Sequence, residues 1–258
     1  MSDTLKRTMI MALGAFAAAT ASARAASAVD DNFADGVRGT QWSGLTDSPA
    51  TLALAEQSGR LELLASAPAS ANTDALYLSN FRLSTASSFS LRLDFSFTDF
   101  TGTGTAGSAM AVVFGVGRDV EGTDSAAIGQ GFANSGFGAL SLTTVGYRTD
   151  DVGVQPVTNL LTPTTGTFEI VYDAVGDDLT LSRLGGGTAY TLPDTVRGIW
   201  GAADLLVSFG GRGNGFSTAS GQAFVDNFTV VTGSVVPEPA CLTLLSVAGF
   251  ALRRRRTK

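Results

Sequence analysis

None of the 258 residues is a histidine, so any chemistry rests on carboxylates, hydroxyls and arginines. Ser-His-Asp and Cys-His nucleophile activation and His-ligated zinc are excluded together. The stretch 29–236 carries four glutamates, Glu56, Glu62, Glu121 and Glu169. Hydrolysis of a glycosidic bond with retention needs two carboxylates about 5–5.5 Å apart. Glu169 and Asp173 share a face if they lie on one strand, yet a rise of about 13 Å separates them. Asp150-Asp151 and Asp177-Asp178 read as solvated turn residues. Gly115-Val116-Gly117 and Gly210-Gly211-Arg212-Gly213 lack the Lys-Ser/Thr of a phosphate loop and a helix after it, so they read as loops between strands. The aromatic side chains that could stack on a sugar ring are Trp42, Trp200, Tyr77, Tyr147 and Tyr190. The same rings also serve as core, and sequence alone does not separate the two uses.

The frame that positions these side chains is strand throughout. Phe89, Leu91, Leu93, Phe95 and Phe97 alternate with Ser90, Arg92, Asp94 and Ser96, which puts five large apolar groups on one sheet face. Leu52–Ala55 and Leu61–Ala65 flank Gln57-Ser58-Gly59 as a hairpin, and Ala75–Ser79 gives a further strand. Ala109–Val116 is a continuous apolar run, expected of a strand covered on both faces. Gly-punctuated segments fill 128–147. Phe168, Ile170 and Tyr172 alternate, Gly176-Asp177-Asp178 turns the chain, and Leu179–Leu184 returns. Leu205–Phe209 and Ala223–Val231 complete the set. No stretch holds an amphipathic helical period over three turns. The expectation is an all-β, antiparallel two-sheet sandwich forming one domain over 29–231, with 232–236 as a short linker.

The two ends read differently. Lys6 and Arg7 precede a short apolar core from Thr8 to Ala19, and small residues follow. That is the order of a secretory signal peptide over residues 1–28. At the other end, Pro237-Glu238-Pro239 precedes an apolar stretch from Ala240 to Leu252, and Arg253-Arg254-Arg255-Arg256 closes it. Arginines beside a membrane segment favour the cytoplasmic side, which places everything before Pro237 outside. As a helix the stretch reaches only about 20 Å, against a hydrocarbon core of about 30 Å. This tail resembles the PEP-CTERM sorting signal of bacterial envelope proteins. The resemblance implies a short sorting helix over 237–258, transient membrane insertion and removal by an exosortase-type protease. An uncleaved anchor and an ordinary packed helix are the alternatives. Cys241, the single cysteine, lies in this tail, so the exported body has no disulfide and holds itself by packing.

Nine arginines, no lysine and 21 Asp/Glu fall in 29–236, a net charge of −12. Such a body is a poor match for nucleic acid, whose affinity rests on neutralised phosphates.

Asp30-Asp31-Asn32-Phe33-Ala34-Asp35-Gly36, with Trp42 after it, resembles the opening strand of concanavalin A-like jelly rolls. Phe224-Val225-Asp226-Asn227-Phe228-Thr229-Val230 is similar to the last strand of that group. The resemblance implies a laminin-G-like or legume-lectin-like jelly roll, a fold that hosts sugar binding, adhesion and glycoside hydrolysis. The acidic Glu-x-Asp-x-x-Glu motif of its glycosidases is missing. Related sandwiches place a cation where the termini meet, which nominates Asp31 and Asp226 for a structural Ca²⁺. The alternative is that both cap turns or bond to backbone. The function expected is a non-catalytic, polysaccharide-binding protein of the cell surface or extracellular matrix, with Trp42 and Trp200 as the ligand-binding aromatics. A purely structural coat or adhesion protein and a glycoside hydrolase are the alternatives.

Overall fold

Strand Phe89–Phe97 sets the core. Its five alternate apolar side chains are each 3% exposed or less. Burying each contributes roughly 1.5–3 kcal/mol before chain entropy is counted. The computed structural model describes residues 27–46, 52–65, 73–97, 109–118, 124–134, 139–149, 152–160, 164–186, 189–201, 204–214 and 217–237. The expected leader, except residues 27–28, and the expected sorting tail, except Pro237, lie outside the described residues, as do Glu121 and Cys241.

In chain order the strands are β1 (Trp42–Thr46), β2 (Leu52–Gln57), β3 (Arg60–Ala65), β4 (Thr73–Ser79), β5 (Phe81–Leu83), β6 (Phe89–Phe97), β7 (Ala109–Gly117), β8 (Ser125–Asn134), β9 (Ala139–Thr149) and β10 (Val152–Leu160). Then come β11 (Thr165–Asp173), β12 (Asp178–Arg183), β13 (Ala189–Thr191), the one-turn helix α1 (Val196–Trp200), β14 (Leu206–Asn214), β15 (Ala223–Thr232) and β16 (Val235–Pro237). Fourteen of them form two antiparallel seven-stranded sheets, ordered β1-β4-β14-β7-β8-β9-β10 and β13-β12-β11-β6-β15-β3-β2, and β5 pairs with β16. Their inner faces share one apolar core, in which Phe114, Phe168, Phe209 and Phe228 are fully enclosed. This is the expected sandwich.

Local chemistry explains the turns. Ser58 and Gly59 join β2 to β3 with φ of 57° and 72°, the two left-handed residues of a tight hairpin. At the β11–β12 turn, Asp177 holds φ 59° and is 8% exposed. Its carboxylate accepts the Tyr172 hydroxyl at 2.6 Å and the Arg197 N–H at 3.0 Å, which ties α1 to the turn. Burial, then Asp177, pushes the Tyr172 hydroxyl pKa up to about 12. Among the described residues no helix is long and apolar enough to cross a membrane.

Five readings change. Asp177 is buried at its turn rather than solvated. Gly115–Gly117 and Gly210–Gly213 are not loops; they lie inside paired strands β7 and β14. A Cβ at Gly115 would come within 2.7 Å of the Ala126 carbonyl, which is why the strand carries glycine there. β7 is not covered on both faces to the same degree: Val112, Phe114 and Val116 are buried, while Ala111 and Val113 on the other face are partly exposed. Asp30–Gly36 is not an opening strand but a turn-rich segment held by one bridge, Asp31 to Phe228. The expected linker is partly strand, since β16 pairs Val235, Val236 and Pro237 with Leu83, Arg82 and Phe81.

Candidate functional site

The N-terminal segment meets β15 at an open depression of about 680 Å³. Asp30, Asp31, Asp35, Gln41, Asn227 and Thr229 are among the residues that line it. Asp30 fastens the floor, accepting the Val230 N–H at 2.9 Å and the Ser27 N–H at 2.7 Å. One Asp31 oxygen accepts the Phe33 N–H at 2.8 Å. The other accepts Gln41 Nε2 at 2.9 Å and the Trp42 indole N–H at 2.8 Å. Phe33, at φ 51°, is then driven into a ring cluster with Phe209, and Trp42 packs on Phe81, Phe209 and Phe228.

Asp226 stands across from Asp94 of β6, just before an irregularity in the register of β15. It accepts the Asn227 N–H at 2.7 Å, while Asn227 Nδ2 donates to Asp94 at 3.0 Å. Burial first, then the Asp94 and Asp31 carboxylates, hold Asp226 above the usual aspartate range. Asp31 and Asp226 each already accept N–H donors. Among the described residues no group of three or more carboxylates converges as a cation site. A hard cation wants six or more oxygens, more than the Asp31 and Asp226 carboxylates supply by themselves.

The tryptophans are also placed otherwise than expected. Trp42 is 3% exposed and Trp200, at the end of α1, is 1% exposed, so neither offers a ring face to a ligand. Tyr77 is buried as well, at 6%. Of the five candidate rings only Tyr147 and Tyr190 remain partly exposed, and they stack on each other with centroids 6.5 Å apart at 15°.

The described glutamates are dispersed. Glu62 is fully enclosed and held by Arg60 at 2.8 Å and Gln57 at 2.7 Å. Burial opposes its ionisation, yet hydrogen bonds from Ser220, Gln57, Arg60 and Gly221 keep it below the usual range. Glu169 pairs with Arg92 at 2.9 Å on the outer face. Glu56 is the exception: both its oxygens are enclosed, and among the described residues neither completes a well-aligned hydrogen bond, although the Tyr77 hydroxyl lies close by. Burial, followed by the Asp31 and Asp35 charges, holds its carboxyl above the usual range, with the Tyr77 hydroxyl pulling the other way. Period two along β2 puts Glu56 on the face of Leu52 and Leu54, but nothing local in the sequence names its neighbours.

These features define an antiparallel jelly-roll sandwich. No family model matches the sequence, and no curated protein matches it. Solved structures do match in fold. The potassium-bound form of the Emp46p carbohydrate recognition domain superposes with a TM-score of 0.51 at 12% identity, over 79% of this chain and 95% of that one. A mutant form of the same domain gives 0.52 at 11%, over 78% and 94%. The Emp47p carbohydrate recognition domain gives 0.50 at 8%, over 79% and 95%. At such identities the likeness is one of fold.

Proposed function

We propose that this chain is an exported, non-catalytic protein of the bacterial cell surface or extracellular matrix whose sandwich binds polysaccharide. The observation that carries the binding half is the likeness to carbohydrate recognition domains across nearly four-fifths of the chain. Export rests on the two terminal sequence patterns, whose charges impose one topology. The tail is removed by an exosortase-type protease near Pro237-Glu238-Pro239, with Arg253–Arg256 holding it at the cytoplasmic face beforehand. Dispersal of Glu62 and Glu169 into separate ion pairs supports a binding rather than a hydrolytic role. Calcium is no part of this reading, since the Asp31 oxygens already accept N–H donors.

A structural coat protein is the second reading, favoured by the burial of both tryptophans. A glycan array probed with the protein separates the two. Specific retention on one glycan class supports binding, and silence across the array hands the case to the coat protein. Intact-mass spectrometry of the protein from its own host tests export, where a dominant species retaining Arg253–Arg256 would contradict processing.

A further inference from the structure

Among the described residues, Arg183 is a buried cation with no carboxylate in ion-pair reach. It ends β12, points to the inner side opposite Phe168 of β11, and is 9% exposed. Its Nη1 is enclosed and has no hydrogen-bond partner among the described residues. Five other arginines, Arg60, Arg92, Arg118, Arg197 and Arg212, each have a carboxylate between 2.6 and 3.8 Å, and their side chains are 27% to 55% exposed. Among the described residues the most enclosed guanidinium is thus left unmatched, in a body rich in acids. A guanidinium does not escape by losing its proton, and a charge kept from water stays costly until an anion meets it. Gly186 lies against the guanidinium, where a Cβ would overlap its nitrogens, so glycine there is what admits the group.

The surroundings say what kind of anion. One pleat along the same inner face of β12 is Leu181, in register with Tyr190 of β13. The Tyr190 ring stacks on Tyr147 of β9, bridging the two sheets where one ends at β13 and the other runs on to β10. These are the two candidate sugar-stacking rings that stay partly exposed. A planar carboxylate fits the arginine fork, and a pyranose face fits a phenol ring.

We propose that this lateral edge, with Arg183, Tyr190 and Tyr147, is a subsite for a uronate residue of an acidic polysaccharide. The uronate carboxylate meets the guanidinium, and its ring lies against the tyrosines. The inference rests on the glycan-binding reading and adds the sugar class and the place.

The test uses calorimetric titration of the full chain with hexasaccharides of galacturonate, glucuronate, mannuronate and guluronate, each beside its carboxyl-reduced counterpart. At least one acid form should bind, its reduced form more weakly. Arg183→Met should weaken the acid form about tenfold or more while leaving the reduced form untouched. Because it removes an unpaired buried charge, it should keep or raise the melting temperature. Arg183→Lys, which keeps the charge but loses the fork, should also weaken binding. Tyr190→Ala should weaken both forms. Unchanged affinity in the Arg183 variants, or an Arg183→Met protein that melts like a core truncation, overturns the subsite. So does equal, Arg183-dependent binding of an acidic hexapeptide. Binding of neutral glycans alone overturns it and leaves the broader reading standing; binding of no glycan removes both.

Discussion

Asp31→Ala should be among the most damaging single changes outside the apolar core, although Asp31 is itself only partly buried. Its carboxylate takes three N–H donors, from Phe33, Gln41 and Trp42, all at 2.8–2.9 Å. The Gln41 amide borders the open depression and can turn to water. The Trp42 indole cannot, because its residue is 3% exposed and boxed in by Phe81, Phe209 and Phe228. A hydrogen bond to a charged group contributes about 1.5–3 kcal/mol, and an orphaned buried donor costs about 1–3 kcal/mol. With one donor orphaned and one turn-holding bond lost, roughly 2.5–6 kcal/mol is expected. At about 2–4 °C per kcal/mol for a body of this size, the melting temperature should fall by around 5–24 °C. Urea denaturation followed by circular dichroism and tryptophan fluorescence measures it. Asp226→Ala is the control: it loses one bond to its own neighbour and relieves repulsion, so it should lie within about 1 kcal/mol of the parent. Equal losses at the two positions, or no loss at Asp31, would refute the claim that Asp31 organises this corner.

Three further outcomes follow from the same geometry. Leu93→Ala should cost about 2–5 kcal/mol and Ser90→Ala almost nothing, measured by the same denaturation, since only Leu93 faces the core. Glu56 has its carboxyl raised above the ordinary 4.5, so the folded state holds that proton more tightly, and parent stability falls as pH rises through that window. Glu56→Gln should therefore gain on the parent between pH 4 and pH 7 in a melting series; a variant that loses ground as pH rises would contradict the assignment. Excess EDTA should leave the melting temperature unchanged, and a drop of several degrees would mean that the fold holds a cation.

Much of the frame was legible because burial imposes period two. Phe89–Phe97 reads as β6 to the residue, and Ser58-Gly59 names its hairpin before any coordinates. β10 was not legible, since Pro156 interrupts it and argues against a strand. It is tolerated because β10 is an edge, with its register shift falling between Val154 and Val157. Helix α1 is a single turn, too short for a helical period to show. The site was harder. Trp42 and Trp200 advertise stacking in a sequence, yet a ring that lines a groove and a ring that fills a core are the same residue type. What decides is the partner, and the Asp31 acceptor for Trp42 lies eleven residues away with no local signal. Arg183 was hidden for the converse reason: its meaning lies in the absence of a carboxylate, which only the packed sheets reveal.

The proposed function of the sandwich is polysaccharide binding without cleavage. Quantitative co-sedimentation of the protein with exopolysaccharide from its own host's matrix, followed by sizing of the recovered polymer, tests this most directly. Saturable binding with an unchanged chain-length distribution is the predicted result; shortened chains, or no binding at any concentration, would contradict it.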